Sequence, residues 1–100
     1  MIIVAGTIQI DASKRGEIEV AFEKMRAATL KESGCIAYQS YLDRGDSGLF
    51  FMFEKWEKEE ALQAHFHTPH MAEFGAALGQ AGVKGTDIWK YEVSAESKLM

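Results

Sequence analysis

Strand-like and helical segments follow one another in the order β-α-β-β-α(α)-β, which predicts an α+β fold with one antiparallel sheet and its helices on one face. Three observations carry this. Residues 2–10, 35–43, 49–57 and 84–93 are rich in β-branched and aromatic residues with two-residue alternation. The segment from Ser13 to Ser33 repeats its apolar residues at helical spacing. Thr68-Pro69 restarts helical structure late in the chain.

Along residues 2–10, Ile2, Val4, Gly6, Ile8 and Ile10 share one face and Ile3, Ala5, Thr7 and Gln9 the other. Both faces are largely apolar, so the strand is expected to be covered twice. Ser13 is placed to cap a helix running to about Ser33, with Ile18, Phe22, Met25 and Thr29 as its buried stripe and Gly34 as a left-handed stop. CIAYQSYLD (35–43) and LFFMFEKWE (49–57) flank a turn-rich RGDSG loop and read as a hairpin. In the second of these strands Phe50, Met52, Glu54 and Trp56 share a face. Residues 58–67 form a short helix carrying Ala61, Leu62 and Ala64. In the next helix Thr68 is the N-cap, Pro69 the first residue, and Met71, Phe74 and Leu78 the apolar stripe. KGTDIWKYEV (84–93) is the last strand, and residues 94–100 are a tail. The result is one ferredoxin-like domain over residues 1–100. With helices on one side only, the other sheet face stays apolar, so a homodimer with a barrel-like core is expected.

Composition narrows the function classes. The chain has 100 residues, 47% of them hydrophobic, and a net charge of −4. An acidic balance provides no electrostatic footprint for nucleic acid or an anionic membrane. No apolar run reaches the roughly 20 residues of a membrane span. One cysteine, Cys35, cannot form an internal disulfide, and the N-terminus lacks the pattern of a signal peptide. A cytoplasmic location is expected.

Chemistry concentrates in EKWEKEEALQAHFHTPHMAEF, from Glu54 to Phe74, which holds Trp56 and all three histidines. Trp56 reads either as a core residue at a strand end or as a pocket wall whose flat ring stacks on an aromatic substrate. His70 falls in the first turn of a helix, where the dipole disfavours imidazolium, and a neutral imidazole is what a general base requires. His65 lies on the inward side of the preceding helix, and His67 points to solvent. The alternative for each inward histidine is a ring satisfied by a backbone carbonyl. A metal site is not expected: on one helix His65 and His67 would point about 200° apart, Pro69 interrupts before His70, and no acidic or cysteine ligand stands at a supporting spacing. Cys35 starts a strand and reads as a structural thiol. No phosphate loop or dinucleotide fingerprint is present.

GCIAYQSYLD followed by FFMFEKWEKEEALQAHFHTPHM resembles the antibiotic biosynthesis monooxygenase (ABM) domain. The shared pattern is Gly-Cys-x-x-Tyr, Glu-x-Trp, Ala-Leu-x-x-His and Thr-Pro-His-Met, and the quinol monooxygenase branch is the most similar. The resemblance implies a dimeric α+β barrel and a monooxygenase that oxidises a small quinol or dihydroxy aromatic with molecular oxygen as co-substrate and no cofactor. It implies His65 and His70 as catalytic residues and Trp56, Phe50, Met52, Met71 and Phe74 around the substrate. Two positions depart from the polyketide-tailoring members: Met52 stands where they carry asparagine, and Leu62 where they carry tyrosine. A small isomerase or detoxifying enzyme of the same fold, or a non-catalytic dimeric binding module, is the alternative.

Overall fold

The computed structural model describes all 100 residues. In chain order they form β1 (Ile2–Gln9), a single 3-10 turn (Ala12–Lys14), α1 (Arg15–Thr29), β2 (Cys35–Leu42), β3 (Leu49–Trp56), α2 (Glu59–His65), α3 (Pro69–Gln80) and β4 (Gly85–Glu92). The strands make one sheet in the order β2-β3-β1-β4. Every neighbouring pair is antiparallel, with Ile2 opposite both Trp56 and Glu92. This is the ferredoxin-like arrangement that the element order predicts.

Strand alternation delivers the core. Ile2, Val4 and Ile8 of β1 and Phe50, Met52, Glu54 and Trp56 of β3 point to the helix side and are buried. Of these, Ile8, Phe50 and Met52 meet Ile18, Phe22 and Met25 of α1 and Phe74 of α3. The rings of Phe22 and Phe50 lie 5.0 Å apart and those of Phe22 and Phe74 4.9 Å apart. Trp56 belongs to a second cluster with Ile2, Val4, Ala61 and Leu62 at the other end of the sheet. No helix covers the opposite face. Tyr41, Phe51, Trp89 and Tyr91 are exposed there, and every residue of β4 is exposed. The double cover expected for β1 is thus supplied by this chain on one side only.

The first helix differs from the sequence reading at both ends. Asp11, not Ser13, provides the cap: its carboxylate accepts from the Ser13 N–H at 3.0 Å, because the chain makes a 3-10 turn before the α-helix. The α-helix stops at Thr29 rather than Ser33. Beyond it the Lys31 and Glu32 N–H groups bond back three residues, to Ala28 and Thr29, the tight pattern of a fraying helix end. Glu32 therefore sits in a turn, free of the helix face. In α2, Ala64 is exposed and the buried positions are Ala61, Leu62 and His65.

Gly34 closes this turn against α2. Its φ is +84°, and a Cβ there would lie 2.6 Å from the Ala61 Cβ, while its carbonyl accepts from the Glu57 N–H at 2.8 Å. Glycine is needed both for the left-handed backbone and for the close approach. Gly34→Ala is expected to destabilise the fold by about 1–3 kcal/mol through strain and overpacking. Chemical denaturation of the variant checks this, and an unchanged midpoint would contradict it.

Candidate active site

The turn held by Gly34 places Glu32 against the histidines. Its Oε2 lies 2.7 Å from His65 Nδ1 and 2.7 Å from His70 Nε2. These residues come from three separate places: the turn after α1, the last position of α2, and the second position of α3. Thr68 sets the two histidines relative to each other. Its hydroxyl donates to the His65 carbonyl at 2.8 Å and accepts from the Met71 N–H at 3.2 Å, so it ends one helix and caps the next. Pro69 occupies the first helical position, where its missing N–H has no cost.

A carboxylate oxygen only accepts. With Glu32 ionised, both ring nitrogens facing it carry hydrogen. In the neutral rings the lone pairs are then on His65 Nε2 and His70 Nδ1. The two histidines are not equivalent in access. His65 is 1% exposed and packs its ring 4.9 Å from Trp56, 5.9 Å from Tyr38 and 6.0 Å from His70. His70 is partly exposed and lines a cleft of about 290 Å³ between α1 and α3, with Val20, Met25 and Phe74 among its apolar walls. Cleft, His70, Glu32, His65 and Trp56 form one continuous path from surface to core.

The other sequence-predicted residues fall on either side of this path. Phe74 lines the cleft with His70. Phe50 and Met52 are buried in the main core, and Met71 packs against it. Trp56 is fully buried, with its ring against His65 instead of in the cleft. His67 is exposed, as expected, but it lies in the turn after α2 and not on the helix, which ends at His65.

Two acidic residues escaped sequence reasoning. Glu54 was legible: alternation puts it on the buried face of β3 between Met52 and Trp56. It is 8% exposed and accepts from the Trp56 indole N–H at 3.0 Å. Burial pushes its carboxyl above the usual carboxylate range, and Glu32 adds to this; the Trp56 hydrogen bond and His65 act the other way. Glu32 gave no local signal, since it stands 33 residues from His65. Burial first, then Glu32 and Glu54, push the Cys35 thiol up to about 11, so it stays protonated and is no nucleophile. Burial likewise raises the Tyr38 hydroxyl, with Glu54 adding to it.

Comparison with known proteins follows the same outline. The family model described as antibiotic biosynthesis monooxygenase matches residues 1–77. The uncharacterized protein YjcS of Bacillus subtilis is 37% identical over 54 residues, covering 54% of this chain and 51% of YjcS. YgiN of Escherichia coli, named a probable quinol monooxygenase, is 35% identical over 66 residues, covering 57% of this chain and 62% of YgiN. The match thus spans between half and two thirds of each curated relative. A Deinococcus radiodurans crystal structure, described as a candidate antibiotic biosynthesis monooxygenase, superposes with a TM-score of 0.92 at 26% identity, covering 100% of this chain and 99% of that one.

The buried Glu54 makes stability depend on pH. The folded state holds its proton more tightly than the unfolded chain, so stability is lost as pH rises above the ordinary carboxylate value of 4.5 toward the raised folded value. Glu54→Gln keeps an oxygen to accept from Trp56 and cannot ionise. Its melting temperature is expected to gain on wild type as pH rises from about 5 to about 8. Parallel melting curves over that range would contradict the assignment.

Proposed function

The chain belongs to the antibiotic biosynthesis monooxygenase family, and from that premise we propose that it is a cofactor-independent monooxygenase oxidising a small quinol or related dihydroxy aromatic with molecular oxygen. The observation that carries this reading is a hydrogen-bonded His-Glu-His system whose most accessible member, His70, borders an apolar cleft.

The chemistry fits these parts. His70 takes the phenolic proton of the bound quinol, and Glu32, 2.7 Å from its other nitrogen, stabilises the imidazolium that forms. The quinol anion is electron-rich enough to pass electrons to oxygen itself. One oxygen atom enters the ring and the other leaves as water; the quinol supplies all four electrons as it becomes a hydroxyquinone, so no external reductant is required. The apolar walls limit water around the reacting ring. His65 and Trp56 act from behind, holding Glu32 in register. Phe74 forms a wall of the cleft, and Phe50, Met52 and Met71 support that wall from the core.

The cleft argues against the isomerase alternative where that requires a phosphorylated substrate. One lysine, Lys24, borders it together with two carboxylates, Glu17 and Glu73, a poor balance for a doubly charged phosphate.

A homodimer completes the proposal. The uncovered sheet face presents Tyr41, Phe51, Trp89 and Tyr91, an aromatic surface suited to a second copy packed sheet to sheet.

His70→Gln is expected to lower oxygen uptake with reduced naphthoquinols by about 100-fold or more. No acceleration by wild type over the uncatalysed background would overturn the reading, and an unchanged rate in the variant would remove His70 as the base. Sedimentation is expected to give twice the 11.1 kDa chain mass; a monomer at micromolar concentration would contradict the dimer.

A further inference from the structure

We propose that Glu32, His65 and His70 form a binding site for a divalent transition-metal cation, and that loading it withdraws His70 from proton transfer. The second clause rests on the function proposed above; the first does not.

The donor set is two imidazole nitrogens and one carboxylate oxygen, all within 4.8 Å of one another. Two imidazoles and a carboxylate suit zinc and its d-block neighbours better than magnesium or calcium, which prefer all-oxygen shells. Local spacing hides the set. Neither histidine pairs with a suitable ligand along its own helix, and the fold brings the third donor from the turn after α1.

The distances require the three side chains to rearrange on binding. Each nitrogen now lies 2.7 Å from the carboxylate oxygen. Around a tetrahedral zinc with bonds of about 2.0–2.1 Å, ligand atoms stand roughly 3.3 Å apart. Each carboxylate contact then opens by about 0.6 Å, and the two imidazole nitrogens, within 4.8 Å of each other, draw together by rotation of the Glu32 side chain and the partly exposed His70 ring. Three protein ligands leave a fourth position open.

The surroundings call for a cation. Glu54 is buried and Glu32 partly buried, and the two are close enough to act on each other, on Cys35 and on Tyr38. No lysine or arginine pairs with either carboxylate. The Lys and Arg ion pairs involve Glu17, Glu19, Glu23, Glu59 and Glu96 instead. Glu32 has only the two imidazoles as basic partners, and a divalent ion would balance its partly desolvated charge more fully.

The consequence for catalysis is a matter of tautomers. In the metal-free protein His70 Nε2 carries hydrogen toward Glu32 and Nδ1 has the lone pair. A metal on Nε2 takes that nitrogen's lone pair, so the neutral ring carries its hydrogen on Nδ1. His70 is then a donor and no longer a base. Metal-loaded protein would be a resting form and metal-free protein the working one.

The test uses untagged full-length protein stripped with a chelator and titrated with zinc chloride by calorimetry and thermal melting. One-to-one binding with a rise in melting temperature is expected. Glu32→Gln and His70→Gln each should weaken binding by at least about tenfold. His67→Gln, at an exposed histidine outside the set, should bind as wild type does. Absence of saturable binding, or binding that survives both site variants, overturns the site. Saturating zinc should also lower quinol-dependent oxygen uptake at least tenfold, with recovery on chelation; undiminished uptake overturns the switching role. A protein that binds zinc but oxidises no quinol would refute the proposed activity and leave the metal site standing.

Discussion

A single oxygen atom, Glu32 Oε2, holds this architecture's functional end together. It meets ring nitrogens from the end of α2 and the start of α3 while its own backbone belongs to the turn after α1. Hydrogen bonds to a charged group each contribute about 1.5–3 kcal/mol net, so the two contacts are a substantial share of the several kcal/mol by which a domain of this size is stable. They also fix the orientation of two rings that apolar packing alone would leave free to rotate. Gly34 allows the turn to approach α2, and Thr68 fixes the angle between α2 and α3. Both are needed for the carboxylate to reach both histidines.

The environment of that oxygen is unusual for so small a protein. A second carboxylate, Glu54, lies sequestered on the neighbouring strand, with an indole hydrogen bond as its main compensation. A fold selected for stability alone would place apolar residues here. Burial raises Glu54, Cys35 and Tyr38 together beside the two histidines, and perturbed titratable groups concentrate at functional sites. The cleft supplies access at one end of the group. The depth of burial of His65 and Trp56 at the other end makes them supports for the reacting residue.

Most of the fold was legible in the residues because it depends on local rules. Alternation separated Phe50, Met52, Glu54 and Trp56 from Leu49, Phe51 and Phe53, and helical spacing identified Ile18, Phe22, Met25 and Thr29. Thr68-Pro69 marked the start of α3 for a stereochemical reason that needs no tertiary context. The first helix was read four residues too long because nothing local distinguishes a helical Glu32 from one in a tight turn. The same error concealed the site. Two of its members, His65 and His70, were identifiable from their spacing, whereas the third is joined to them only through a long-range contact. Trp56 illustrates the opposite limit: its residue type and position left core and pocket wall both open, and side-chain packing alone places its ring fully buried against His65.

The most direct test of this account is nitrogen-detected magnetic resonance of the three histidines in metal-free protein, at a pH where exposed His67 is neutral. Two slowly exchanging ring N–H hydrogens are predicted, one on His65 Nδ1 and one on His70 Nε2, both lost in Glu32→Ala while His67 is unaffected. Rings of His65 and His70 that exchange as freely as that of His67, or that are unchanged by the loss of Glu32, would contradict the central claim that one carboxylate organises the site.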